Sequence, residues 1–299
     1  MKKTIIAVVV IVLVGIGLYY FFGRGSSSTV DNTPLPVPNT SGQSTSTPSG
    51  TTAEKTVIGK SVQGRDITAY HYGSGTKELL FIGDIHGGYE WNTALVAYEL
   101  VDYLKAHPEA IPKSVAVTVI PVMNPDGLNK VVDATTRFTA SDVSQSSAAR
   151  IAGRYNANKV DLSRNFDCSW QSSGVWQTTP VSGGTSAFSE PESKAIRDYV
   201  NAHNPVAIVA WYSAAGGVFS SSCGNGILPE TTKINSLYAT ASGYPKYDSF
   251  DFYTLTGDMV DWFAKQNIPA VSVLLSTHSD VEWSQNLAGV KALLQYYGK

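Results

Sequence analysis

Charge is scarce in this 299-residue sequence: Asp, Glu, Lys and Arg together make up 15% of it. That is too little for a solvated rod or a coiled coil, and no Lys/Arg stretch is long enough to track a phosphate backbone, which argues against nucleic acid as a partner. Cysteine is nearly absent, with only Cys168 and Cys223. No Gly-x-Ser-x-Gly elbow occurs, so a serine-hydrolase reading has no support, and Ser213 has no evident partner in the sequence. Nor is there an internal repeat, which excludes solenoids and propellers. What is abundant is apolar surface: 43% of residues are hydrophobic and 11% aromatic, enough for a large core.

The composition divides the chain into three parts. Residues 1–24 hold Lys2 and Lys3 ahead of an uncharged apolar run from Ile5 to Phe22, with Arg24 behind it. As a helix this run covers roughly 27 Å, close to the hydrocarbon thickness of a bilayer. It reads as a membrane anchor or, alternatively, a cleaved secretory signal; no A-x-A cleavage site follows. Either way the remainder is expected outside the cytoplasm, held to the membrane by this helix or secreted. Residues 25–54 read as a flexible linker: of the 29 residues from Gly25 to Ala53, 21 are Ser, Thr, Pro or Gly, too few apolar side chains to offset the entropy of ordering. Beyond the anchor the chain has 19 basic and 24 acidic residues, a formal charge of about −5 that disfavours acidic polymers as ligands. Residues 55–299 then form one domain.

Within that domain short β-rich runs come first: Thr56 to Val62, Asp66 to Tyr72 and Glu78 to Ile82. An amphipathic helix is predicted from Trp91 to Ala106, and a strand from Val115 to Val122. Ser189-Glu190-Pro191-Glu192 reads as a capping box opening the next helix. The strand Val206 to Trp211, helices over Pro229 to Ala241 and Gly257 to Gln266, the strand Ala270 to Leu275 and a helix after Ser279 complete the pattern. Strands alternating with helices predict an α/β domain with a largely parallel or mixed sheet covered on both faces. In an exported domain the two cysteines are expected to pair; two small buried thiols are the alternative.

Chemistry begins at Gly83-Asp84-Ile85-His86-Gly87-Gly88-Tyr89-Glu90, which leaves one strand and enters a helix. That junction lies at the carboxyl end of a sheet strand, where open α/β folds bind ligands, and the glycines let an imidazole and a carboxylate converge. Taken with Asn124-Pro125-Asp126-Gly127, Val160-Asp161-Leu162-Ser163-Arg164-Asn165-Phe166, the helix start at Ser189 and Asp261-Trp262, the chain resembles the zinc metallocarboxypeptidases, the carboxypeptidase A-like family, over nearly all of residues 56 to 298. Phrases such as Asn165-Phe-Asp-Cys and Asn286-Leu-Ala-Gly look like a bacterial branch.

The resemblance implies a three-layer α/β/α sandwich around a mixed, mainly eight-stranded sheet. It implies one zinc ion held by His86, Glu90 and a second histidine whose position is taken here by Tyr212. A phenol must lose a proton near pKa 10 before it becomes a good ligand, so zinc is expected to bind weakly or not at all. The family's general-base glutamate falls at Leu274, which cannot accept a proton. His278 and Glu282 follow nearby and could compensate for the missing base, although a helix-capping or surface role is the expectation for each. Arg164 matches the family's clamp on a peptide's terminal carboxylate, Ser163 stands where asparagine is usual, Arg154 matches the arginine that polarises the scissile carbonyl, and Tyr253 is a candidate for the substrate-capping tyrosine. The implied ligand is the C-terminal end of a peptide or of a peptidoglycan stem peptide. Two readings follow: a zinc carboxypeptidase with impaired hydrolysis, or a non-catalytic binder of free C-termini.

Overall fold

The computed structural model describes residues 54–134 and 136–299; the predicted anchor and all but the last residue of the predicted linker lie outside the described residues. Eight strands form one mixed sheet: β1 (Glu54–Lys60), β2 (Asp66–Gly73), β3 (Lys77–Ile82), β4 (Val115–Ile120), β7 (Ala207–Ser213), β8 (Gly217–Ser220), β9 (Lys246–Tyr247) and β10 (Ala270–Leu275). Their order is β1-β2-β4-β3-β7-β10-β8-β9, and a separate hairpin is made by β5 (Ser173–Trp176) and β6 (Thr179–Ser182). The four central strands, β4, β3, β7 and β10, run parallel. Every residue of β7 is buried, as expected of a strand covered on both faces. The expected eight-stranded α/β architecture is therefore the one observed.

Two apolar layers clothe the sheet. Helices α1 (Trp91–Ala106), α5 (Pro229–Ser242) and α7 (Trp283–Tyr297) place Val96, Leu100, Ile234, Tyr238, Val290 and Leu293 against one face. On the other face lie α4 (Pro191–His203) and α6 (Met259–Lys265), with Ile196, Val200, Trp262 and Phe263 buried beside Leu162 and Phe166. Two short helices, α2 (Pro125–Leu128) and α3 (Ser147–Gly153), brace the loop after β3.

Three sequence expectations shift. Strand β1 starts at Glu54, placed above at the end of the linker, and ends at Lys60 rather than Val62, because Ser61 and Arg65 close a turn through the Ser61 N–H to Arg65 O bond. The capping box at Ser189 does not form. Glu190 is the N-cap and Pro191 the first helical residue, while Ser189 Oγ donates to Glu190 Oε1 and Glu192 turns away to accept from Val62 N. Helix α6 begins at Met259 because Asp258 accepts from Val260 N and Asp261 N, which makes it the cap.

Cys168 and Cys223 form a disulfide with Cα atoms 5.9 Å apart, as expected. Closing a loop over a separation of 55 residues contributes about 4 kcal/mol on the loop-entropy account.

Candidate functional site

The carboxyl ends of β3, β7 and β10 converge on one cleft. His86 leaves β3 through Gly83, and the turn that returns the chain to α1 at Trp91 requires glycine. Gly87 has φ +46°, and a Cβ there would lie 2.5 Å from Gly153 O. The turn brings His86 Nδ1 to 2.8 Å from Glu90 Oε1, and both side chains are buried. Glu90 Oε2 accepts from the backbone N–H of Ser213, tying the helix entry to the end of β7.

Tyr212 and Leu274 are in-register partners on the adjacent strands β7 and β10. Both line the same cavity as His86 and Glu90, about 280 Å³ in volume. The structure thus brings all four residues to one cavity. Tyr212 Oη is buried with no hydrogen-bond partner among the described residues. Burial first, then the charges of Asp258 and Glu90, push its pKa well above the ordinary phenol value. Deprotonation to a phenolate ligand is therefore opposed by its surroundings.

Asp161 and Arg154 complete the charge system behind His86. Burial alone would raise Asp161, but Arg154 and His86 outweigh it and hold the carboxyl well below the usual range. Arg154 Nε lies 2.9 Å from Asp161 Oδ2, and one of its terminal nitrogens is 2.9 Å from His86 Nε2. Ser163 Oγ also lies 2.9 Å from His86 Nε2 and donates to Asp161 Oδ1 at 2.8 Å. For His86 burial and Arg154 act downward, yet Glu90 and Asp161 prevail and its pKa is raised. Sequence reasoning quoted Asp161 within a motif without giving it a role; only the fold shows it at the imidazole.

The donor set can be weighed against a zinc ion on these observations. One imidazole and one carboxylate converge, and a carboxylate stands behind the imidazole as metal-bound histidines require. The third position supplies a neutral, orphaned phenol, and no group of three His, Cys, Asp or Glu side chains suited to a metal occurs among the described residues. This set does not fit a tight three-ligand zinc centre.

Arg164 is buried, with Nη1 donating to Ser163 O and Oγ at 2.9 Å and Nη2 donating to Val175 O at 2.9 Å. Among the described residues it has no carboxylate within ion-pair distance, and it lines the inner cavity. Tyr253 sits over it, the guanidinium carbon 5.7 Å from the ring centroid. Tyr253 also lines a second, outer cavity of about 520 Å³, shared with Arg154, Trp176, Tyr89 and His278. Ser163 here serves Asp161, His86 and Arg164 at once rather than presenting a free donor.

Two further carboxylates on these walls had no site role assigned from sequence. Asp258 and Asp261 line the inner cavity. Burial followed by the charge of Asp258 pushes Asp261 up to about 7. Its folded form then keeps a proton that the unfolded chain has already released above its ordinary pKa near 4, so stability should fall as pH rises from about 4 to about 7. Asp261→Asn, which keeps an acceptor for Ser222 N, should flatten that slope in thermal melts taken between pH 4 and pH 8; an unchanged slope would contradict the assignment.

The loop after β10 also departs from expectation. Glu282 does occupy the N-cap position of α7, but its side chain makes no cap bond and instead accepts from Ser276 N at 2.9 Å and from the Tyr244 hydroxyl. His278 is half-buried and forms a wall of the outer cavity, its ring centroid 4.5 Å from that of Tyr89. Burial lowers its pKa, with Glu90 acting against that shift. Ser213, without a visible partner in the sequence, has two in the fold: Asn92 at 3.1 Å and His278 at 2.9 Å.

The sequence profile of the zinc carboxypeptidases matches residues 44–284. The chain belongs to the zinc carboxypeptidase family. It is similar to bacteriocin BCN5 of Clostridium perfringens, 31% identical over 157 residues that cover 51% of this chain and 16% of the bacteriocin. Alignments to the curated relatives it matches span 10% to 35% of those proteins' own lengths. Among solved structures, thrombin-activatable fibrinolysis inhibitor superposes with a TM-score of 0.67 at 18% identity, covering 83% of this chain and 69% of that one. The murein-tripeptide amidase MpaA from Escherichia coli O157 superposes with a TM-score of 0.58 at 19% identity, covering 81% and 91%. At such identities the structural likeness establishes the carboxypeptidase-like fold of the domain.

Proposed function

We propose that this zinc carboxypeptidase-family domain grips the C-terminal end of peptides, cell-wall stem peptides included, and hydrolyses them only weakly. The observation that carries the reading is Arg164, a buried guanidinium with no carboxylate partner among the described residues, facing the 280 Å³ cavity. A buried charge needs compensation, and a peptide's terminal carboxylate supplies it with paired hydrogen-bond acceptors. The match to a murein-tripeptide amidase supports stem peptides as one source of such ends. Weakness of turnover follows from Tyr212 and Leu274, which offer neither an ionised ligand nor a proton acceptor. The apolar run from Ile5 to Phe22 supports a domain exported and held at the membrane.

The test uses ligand chemistry rather than mutation, because Arg164 also bonds two backbone carbonyls. In calorimetric titrations a short peptide with a free C-terminus should bind at least about tenfold more tightly than its C-terminal amide, the scale of one charge-assisted contact. Equal affinities would overturn the reading.

A further inference from the structure

The chain of hydrogen bonds ending at His278 fixes where that ring carries its proton. Asn92, fully buried on α1, donates both amide hydrogens, to Thr277 O at 2.8 Å and to Asp280 O at 2.9 Å. Its Oδ1 is thereby turned toward Ser213, whose hydroxyl donates its one proton to that oxygen at 3.1 Å. Ser213 Oγ can then only accept from His278 Nδ1, 2.9 Å away. A neutral imidazole carries one N–H, so Nε2 holds a lone pair. Nε2 has no hydrogen-bond partner among the described residues, and the ring lines the outer cleft with Glu90, Arg154 and Leu274. The same chain explains why Ser213 is not a nucleophile: its proton points away from His278.

We propose that His278 Nε2 is the proton acceptor of the outer cleft, performing for weak peptide hydrolysis the task that Leu274 cannot. The proposal rests on the reading of the cleft as a site for peptide ends. In the step it describes, an O–H bond of water breaks and the proton moves to Nε2 while the water oxygen bonds to the scissile carbonyl carbon. The C–N bond then breaks, the proton passes from Nε2 to the leaving nitrogen, and a carboxylic acid and an amine result. Arg154, on the same wall, stabilises the charge that develops on the carbonyl oxygen.

Two measurements test it on the full chain. In ¹⁵N spectra of the imidazoles at neutral pH, His278 should show a protonated Nδ1 and a bare Nε2; a protonated Nε2 would overturn the proposal. The rate of terminal-residue release should fall roughly 10²-fold or more in His278→Gln. When Leu274→Glu supplies a carboxylate, the same His278→Gln change should cost far less, because the two groups do one job. A loss of equal size in both backgrounds would mark a merely structural role and overturn the proposal. If the unmodified chain hydrolyses no peptide yet prefers free C-termini in titrations, the role of His278 fails while the peptide-end reading stands; if it shows no such preference, both fail.

Discussion

Tyr212→His is expected to raise zinc affinity by roughly 10²-fold or more, since it turns a neutral phenol into a ligand that binds the ion at neutral pH. The position is already prepared for it. Tyr212 lies on β7 beside Leu274 on β10, its ring 5.6 Å from that of His86, centroid to centroid. A smaller imidazole there would leave the Glu90–Ser213 tie intact, because that bond runs from the Ser213 backbone N–H to the Glu90 carboxylate and uses no atom of the side chain at 212. Adding Leu274→Glu should raise terminal-residue release further, by less than the 10² to 10⁴ that a positioned proton acceptor usually supplies, because His278 already does part of that task. Competition against a chromophoric chelator reads the first effect and product chromatography the second. A double variant that binds no more zinc and cleaves no faster would mean that the cleft lacks more than these two groups.

The largest expected loss of stability comes from Arg154→Met. Arg154 and Asp161 are each no more than 1% exposed, so removing the guanidinium strands a carboxylate that the fold holds ionised. Breaking such a pair from one side costs about 3–5 kcal/mol, whereas removing both charges is far less costly. Urea denaturation of Arg154→Met, Asp161→Leu and the double variant should therefore show strong non-additivity, the double losing much less than the two singles summed. Additive losses would mean that the two groups are not coupled as their 2.9 Å contact implies.

His86, Glu90, Tyr212 and Leu274 were legible through the family resemblance, which rests on motifs that end or follow strands, and the fold brings the four to one cavity. The helix from about Trp91 to Ala106 was legible because its apolar residues keep helical spacing throughout. The capping box was misread because Ser189 and Glu192 have the right spacing but Pro191 takes the first helical position, leaving Glu190 as the cap. The Asn92–Ser213–His278 chain was invisible: its members are separated by 121 and 65 residues and meet only because β7 and β10 run side by side. Asp261 stands in a motif named from the sequence, but that it and the helix-capping Asp258 form part of a cavity wall shows only in the fold.

The phenol at position 212 leaves the metal site incomplete. Elemental analysis of the purified, unmodified chain after dialysis against a mild chelator measures this. Well under one zinc per chain is expected, with Tyr212→His retaining close to one under the same dialysis. One tightly held zinc in the unmodified chain would contradict the account.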